Sequence, residues 1–207
     1  MVISRTMVMK GEILKYLGYT NGFTPDEATS QLIDKALQLV AELSSFKYIY
    51  AEYEAPLPFM NHKAYQEYLS GSKGFLLCAT TLGIEIDRKL KRLQLQDMAF
   101  AVIFDAAASV YLETKADEFE HNLPYQELGF RFCPGYSGTP LCHNRVIAEC
   151  LHSEQIGISF MNSDLMLPMK SMVGIIKIGG STPKDCGECV AKSECVYRKR
   201  GIRCYTI

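Results

Sequence analysis

Residues 131–140 read RFCPGYSGTP, and the reading of this loop decides how the rest of the chain is understood. Pro134 and Pro140 lack backbone donors, and Gly135 and Gly138 reach backbone angles that other residues avoid. The run is therefore neither helix nor central strand. An arginine, a thiol and a tyrosine gathered into one Pro-Gly turn are more than a connection needs. Arg131 can offer a two-pronged fork to a carboxylate, and Tyr136 an aromatic face with a hydroxyl.

Outward from the loop, the chain splits into a helical half and a glycine- and proline-punctuated half. On the N-terminal side, 5–17 reads as a short helix stopped by Gly18. Thr24, Pro25, Asp26 and Glu27 make a helix start, with Thr24 as cap and Glu27 in capping-box position. Ala28, Leu32, Ala36, Leu39, Val40 and Leu43 then recur at helical spacing, which predicts a helix over 25–44. Residues 47–54 (KYIYAEYE) alternate as a strand does, and 75–82 (FLLCATTL) reads as a buried strand. Residues 84–93 carry the charges of an exposed helix. Residues 97–120 predict a long helix, apolar nearly all round in its first half and so central, and acidic in its second. On the C-terminal side, 145–151 suggests a helical turn or two, 156–161 and 172–178 strands, and 179–183 a linker. The fold class expected is α+β, with helices packed on an antiparallel or mixed twisted sheet over residues 1–180. A cysteine-rich tail at 181–207 follows.

Composition narrows the function. With 207 residues and 48% hydrophobic content, a sizeable core is available. A net charge of −1 argues against a general nucleic-acid partner, which calls for a basic excess. The N-terminal MVISRTMVMKGE lacks the apolar run of a signal peptide, and the longest apolar stretch, 98–112, is broken by Asp105. These features lead to the expectation of a cytoplasmic protein without a membrane span.

The RFCPGY run, followed by IGISFMNSDLMLPMKSMVG at 156–174, resembles the activation domain of cobalamin-dependent methionine synthase. That family carries an Arg-x-small-Pro-Gly-Tyr loop and, later, Pro, Ser and Gly spaced like Pro168, Ser171 and Gly174. EILKYLGY at 12–19, CATTLGIEID at 78–87 and FDAAASVYLE at 104–113 look like the free-standing members, so the likeness spans roughly residues 3–180.

The resemblance implies an S-adenosylmethionine-binding reactivation subunit of a cobalamin-dependent methionine synthase or related corrinoid methyltransferase. In that family, oxidation strands the cobalamin as inactive cobalt(II). A flavodoxin- or ferredoxin-like donor supplies an electron, and S-adenosylmethionine supplies the methyl group. The cobalamin would be carried by a separate partner subunit, so this chain would be a component of the enzyme and would need no base or nucleophile of its own.

The resemblance also assigns residues. Arg131 would meet the ligand carboxylate, although from the residues alone a surface arginine paired with a nearby acid is the commoner arrangement. Pro134 and Gly135 would open the backbone to adenine. Tyr136 would stand where ligand and corrin meet, the position closest to the chemistry, or be a half-buried core tyrosine. Glu113 would meet the ammonium or lie solvated beside Lys115, and Glu127 would pair with Arg131, meet the ammonium, or be a plain loop acid. Cys133 stands where the family has Ala or Ser, either as a passive small residue or as a thiol near the corrin. The family's later tyrosine-bearing strand has no counterpart here.

The tail adds a separate feature. Cys186, Cys189, Cys195 and Cys204 are spaced Cys-x2-Cys-x5-Cys-x8-Cys, which suits zinc or an iron–sulfur cluster and matches no ferredoxin pattern. A dithiol, a disulfide or inert thiols are the other readings. From 186 to 207 there are five Lys/Arg against two Glu, a surplus able to offset thiolates or attract an acidic flavodoxin. A cysteine-metal docking module without S-adenosylmethionine chemistry is thus the alternative function. A stand-alone methyltransferase is disfavoured, because no strand-Gly-x-Gly-helix nucleotide loop is present.

Overall fold

The computed structural model describes residues 5–19, 24–162 and 164–180. It is α+β, and its principal sheet is wholly antiparallel. The chain opens with α1 (Arg5–Tyr16) and α2 (Glu27–Leu43). Gly18, at φ 85°, turns the chain after α1 as its position suggests. The start of α2 differs from the expectation. Asp26, not Thr24, is the cap, accepting from Thr29 N–H at 2.7 Å. A carboxylate is the stronger acceptor and also answers the positive end of the helix dipole. Ile33, Ala36, Leu37 and Val40 form the buried stripe of α2.

Strand β1 (Lys47–Tyr53) pairs with β2 (Gly74–Thr81), which pairs in turn with β5 (Ser171–Ile178). The register sets Tyr50 opposite Cys78 and Cys78 opposite Gly174. Every residue of β2 is buried, because both faces of this central strand are covered. That is why FLLCATT reads as an unbroken apolar run rather than an alternation. Between β1 and β2 lies α3 (Lys63–Leu69), a helix that the sequence pattern does not predict.

Helix α4 (Ile84–Gln96) leads into α5 (Met98–His121), and Asp97 serves both. Its N–H donates to Leu93 O at the end of α4, while its side chain accepts from Phe100 N–H at 3.0 Å to begin α5. After the loop come α6 (His143–Cys150) and the two-residue strands β3 (Ser159–Phe160) and β4 (Met166–Leu167). The strand expected over 156–161 therefore shrinks to Ser159–Phe160, in its second half. A 3-10 turn, Ser153–Ile156, ends at Gly157 with φ 88° and takes up the first part of that run.

One face of the sheet, through Leu76, Cys78 and Ile176, packs on Phe119 of α5 and on Leu123. Around α5, helices α1, α2 and α4 complete the larger core, with Phe104 and Ala107 fully buried at its centre. The other face, through Phe75, Leu77, Val173 and Ile175, packs on Tyr65 and Tyr68 of α3 and Ile147 of α6. No helix of the described residues is long and apolar enough to cross a membrane.

Candidate functional site

The segment just before the Pro-Gly turn behaves as a fourth, irregular strand. Phe132 and Ile175 exchange both backbone hydrogen bonds, at 2.8 and 2.9 Å, and Leu128 bridges Ile178. Five residues, 128–132, thus oppose four, 175–178, so the segment holds a β-bulge. In an unbroken ladder Lys177 N–H would donate directly to Phe130 C=O. Here the Tyr68 hydroxyl stands between them, accepting from Lys177 N–H at 3.0 Å and donating to Phe130 C=O. Gly129 leaves the room, since a Cβ there would sit 2.9 Å from that hydroxyl.

The alternation past the bulge sends Phe130 and Phe132 into the aromatic core with Tyr68, and Arg131 to the opposite face, toward α5. Its stem crosses β5 at Gly174, where a Cβ would lie 2.6 Å from Arg131 Cγ and 3.1 Å from Cδ. Beyond the strand the guanidinium meets a row of carboxylates. Nη2 lies 2.6 Å from Glu113 Oε2 and 3.5 Å from Asp117 Oδ1, and Nη1 donates to Glu120 Oε1. These acids stand at i, i+4 and i+7 on α5, one face of the helix. The arginine side chain is only 5% exposed, whereas those of Glu113 and Asp117 are 43% and 70% exposed. Burial works against the guanidinium's charge, but Glu113, the neighbouring thiols of Cys133 and Cys78, and Asp117 outweigh it and hold the group above its usual range.

The turn itself is tightly closed. Cys133 C=O accepts from Tyr136 N–H at 3.1 Å, with Pro134 and Gly135 at the two central positions. Gly135 has φ 96° and ψ −21°, the type II geometry that requires glycine. Buried Thr139 fastens the loop from within, its hydroxyl accepting from Gly135 N–H at 2.9 Å and donating to Tyr136 C=O at 2.8 Å. The Tyr136 ring meets Phe132 edge-on at 5.8 Å and is 40% exposed. Burial, then the nearby Cys133 and Glu113, push its hydroxyl above the ordinary range for tyrosine. Cys133 is half-buried. Beneath Arg131, the Cys78 thiol donates to Gly174 C=O at 3.5 Å and is pushed up to about 12 by burial.

The structure thus gathers Arg131 and Glu113 directly, with Tyr136 and Cys133 electrostatically coupled to them, and Pro134 and Gly135 in the same turn. Glu127 stands apart. Its carboxylate accepts from Gly180 N–H at 3.3 Å, four residues back along the irregular strand from Arg131. Asp117 and Glu120 belong to the cluster but were not singled out in the sequence. Their spacing from Glu113 on a helix already marks them as its neighbours. Cys186, Cys189, Cys195 and Cys204 lie outside the described residues. Among the described residues no group of three or more His, Cys, Asp or Glu side chains could hold a metal ion.

By sequence, the chain matches no family model and no curated protein. By structure, it is similar to a protein described as the MetH reactivation domain bound to AdoHcy. The TM-score is 0.56 at 15% identity, covering 98% of this chain and 86% of that one. The likeness establishes a shared fold of helices and antiparallel sheet.

Proposed function

We propose that this protein binds S-adenosylmethionine at the Arg131 cluster and serves as the reactivation component of a corrinoid methyltransferase of the methionine synthase kind. The observation that carries the reading is the buried Arg131, ringed by carboxylates and set immediately before a rigid Pro-Gly-Tyr turn. It gains support from the fold, whose solved neighbour holds AdoHcy.

The donor set fits the ligand. S-adenosylmethionine brings one carboxylate and two cationic centres, an ammonium and a sulfonium. One guanidinium among Glu113, Asp117 and Glu120 offers a partner for the carboxylate and a surplus of acids for the cations. Asp117, at 3.5 Å and most exposed, is the most weakly held of the three, so a ligand carboxylate competes with it for Nη2. Glu113 can hold Arg131 and still reach toward the ammonium. The amide of Gly135 turns inward to Thr139, so the Pro134 carbonyl of the same trans peptide points the other way and would be able to accept from adenine. Tyr136, half-covered at the rim, would order the approach of the methyl-accepting partner. When bound, the ligand supplies an electrophilic methyl group; the protein's contribution is position and exclusion of water. The corrinoid subunit, the flavodoxin- or ferredoxin-like donor and a metal in the Cys186–Cys204 tail belong to this proposal as expectations.

Titration calorimetry tests it. The intact protein is expected to bind S-adenosylmethionine, and Glu113→Gln to weaken binding on the order of tenfold, the scale of one charge-assisted hydrogen bond. Tyr136→Phe should leave affinity nearly unchanged and slow the partner-dependent cobalt(II) absorbance change. Absence of binding by the metal-replete protein, both alone and with its corrinoid partner, would sink the reading and leave the cysteine-metal docking module in its place.

A further inference from the structure

We infer that Gly174, which bears no side chain, is a positioning residue that decides whether the Arg131 site exists. Glycine weakens a strand interior, and it often marks a close approach of other atoms. β5 reads SMVGIIKI and is otherwise well filled, so the glycine is out of keeping with its surroundings. Backbone angle does not explain it, because Gly174 is not among the glycines with positive φ. Space does. An added Cβ would lie 2.6 Å from Arg131 Cγ, 3.1 Å from Cδ and 3.3 Å from Phe132 C=O.

The obstructed atom is at the root of the arginine side chain, so it cannot swing aside as a flexible tip would. The arginine backbone is fixed in turn by the paired hydrogen bonds of Phe132 with Ile175. Any side chain at 174 therefore forces Arg131 into another rotamer and lifts its guanidinium off Glu113 and Glu120. The site is assembled from three pieces: a gap in β5, an arginine on the irregular strand that passes through the gap, and the acids of α5 beyond it.

This inference concerns the unliganded protein, and it rests on the proposed function only for its binding arm. The experiment compares wild type, Arg131→Ala, Gly174→Ala and the double variant. In wild type the Arg131 side-chain N–H signals should be dispersed and slowly exchanging by NMR. In Gly174→Ala they should move to the position of a solvated arginine. Thermal unfolding of the four proteins forms a double-mutant cycle. The loss caused by Gly174→Ala should largely vanish when Arg131 is already alanine, because the colliding stem is gone. S-adenosylmethionine affinity should fall in Gly174→Ala about as far as in Arg131→Ala, with no further fall in the double variant. Unchanged Arg131 signals in Gly174→Ala, or additive losses of stability, overturn the inference. Should Gly174→Ala fail to fold, recovery of folding in the double variant supports it, and failure of both overturns it. Should no protein bind S-adenosylmethionine, either alone or with the corrinoid partner, the functional reading falls, while the NMR and stability arms still decide the role of Gly174.

Discussion

Asp87 shows what a single residue can reveal. It sits in the first turn of α4, 4% exposed, with Oδ2 accepting from Met169 N–H at 2.7 Å. Its Oδ1 is buried without a hydrogen-bond partner among the described residues. Burial raises its carboxyl above the ordinary 3.8, against the pull of Met169 N–H and of Lys170 and Lys91. The folded chain thus holds this proton more tightly than the unfolded one. Its contribution to stability is full below pH 3.8 and is lost as pH rises through the raised value. The advantage of wild type over Asp87→Asn should therefore grow as pH falls from neutral and level off below that point. Chemical denaturation across the range checks this, and a difference that does not change with pH would count against it. The same scale shows what sequence could and could not yield at the site. Arg131 and Tyr136 stand out because a Pro-Gly turn flanked by such residues is rare furniture. Asp117 and Glu120 do not, because acids on the second half of α5 read as a solvated face until the helix is seen to turn them toward Arg131.

At the scale of elements, helical periodicity is legible, whereas the exact cap of α2 and the short or irregular pieces are not. The expected helix over 97–120 is found as Met98–His121, since Asp97 supplies an unmistakable start. Helix α3 is not legible in the sequence because seven residues, two of them tyrosines, carry little helical period. Nor is the irregular strand at 128–132, because its bulge and Gly129 break the alternation on which strand reading depends. Its stability leans on one hydroxyl. Tyr68→Phe leaves Lys177 N–H and Phe130 C=O buried without their bridge, and should cost about 2 kcal/mol. In a protein of this size that lowers the melting midpoint by roughly 4–8 °C. Hydrogen exchange should localise the loss to Lys177 and its neighbours. A midpoint within a degree of wild type would mean that the bridge contributes nothing.

At the scale of the molecule, β2 matters most. Its alternate residues feed two cores, Leu76 and Cys78 on one face and Phe75 and Leu77 on the other. Neither core can come apart without exposing the strand they share. Unfolding should therefore be a single event, with far-ultraviolet dichroism and near-ultraviolet tyrosine signals giving coincident transitions. With 12 tyrosines and no tryptophan, the near-ultraviolet signal draws on both faces, from Tyr65 and Tyr68 on one and from Tyr48 and Tyr50 against Phe119 on the other. Two separated transitions would show that the faces are independent. The bulge carries a last consequence, for how a chain of this fold can change its length. Take away one residue at 129, and Lys177 N–H can reach Phe130 C=O unaided, with Leu128 and Arg131 still on the α5 side. Residue 68 would then have no employment for a hydroxyl. A lineage one residue shorter between 128 and 132 is free to place phenylalanine at 68, and one that keeps the extra residue is bound to tyrosine. Length at 128–132 and the hydroxyl at 68, about 60 positions apart, are therefore expected to change together.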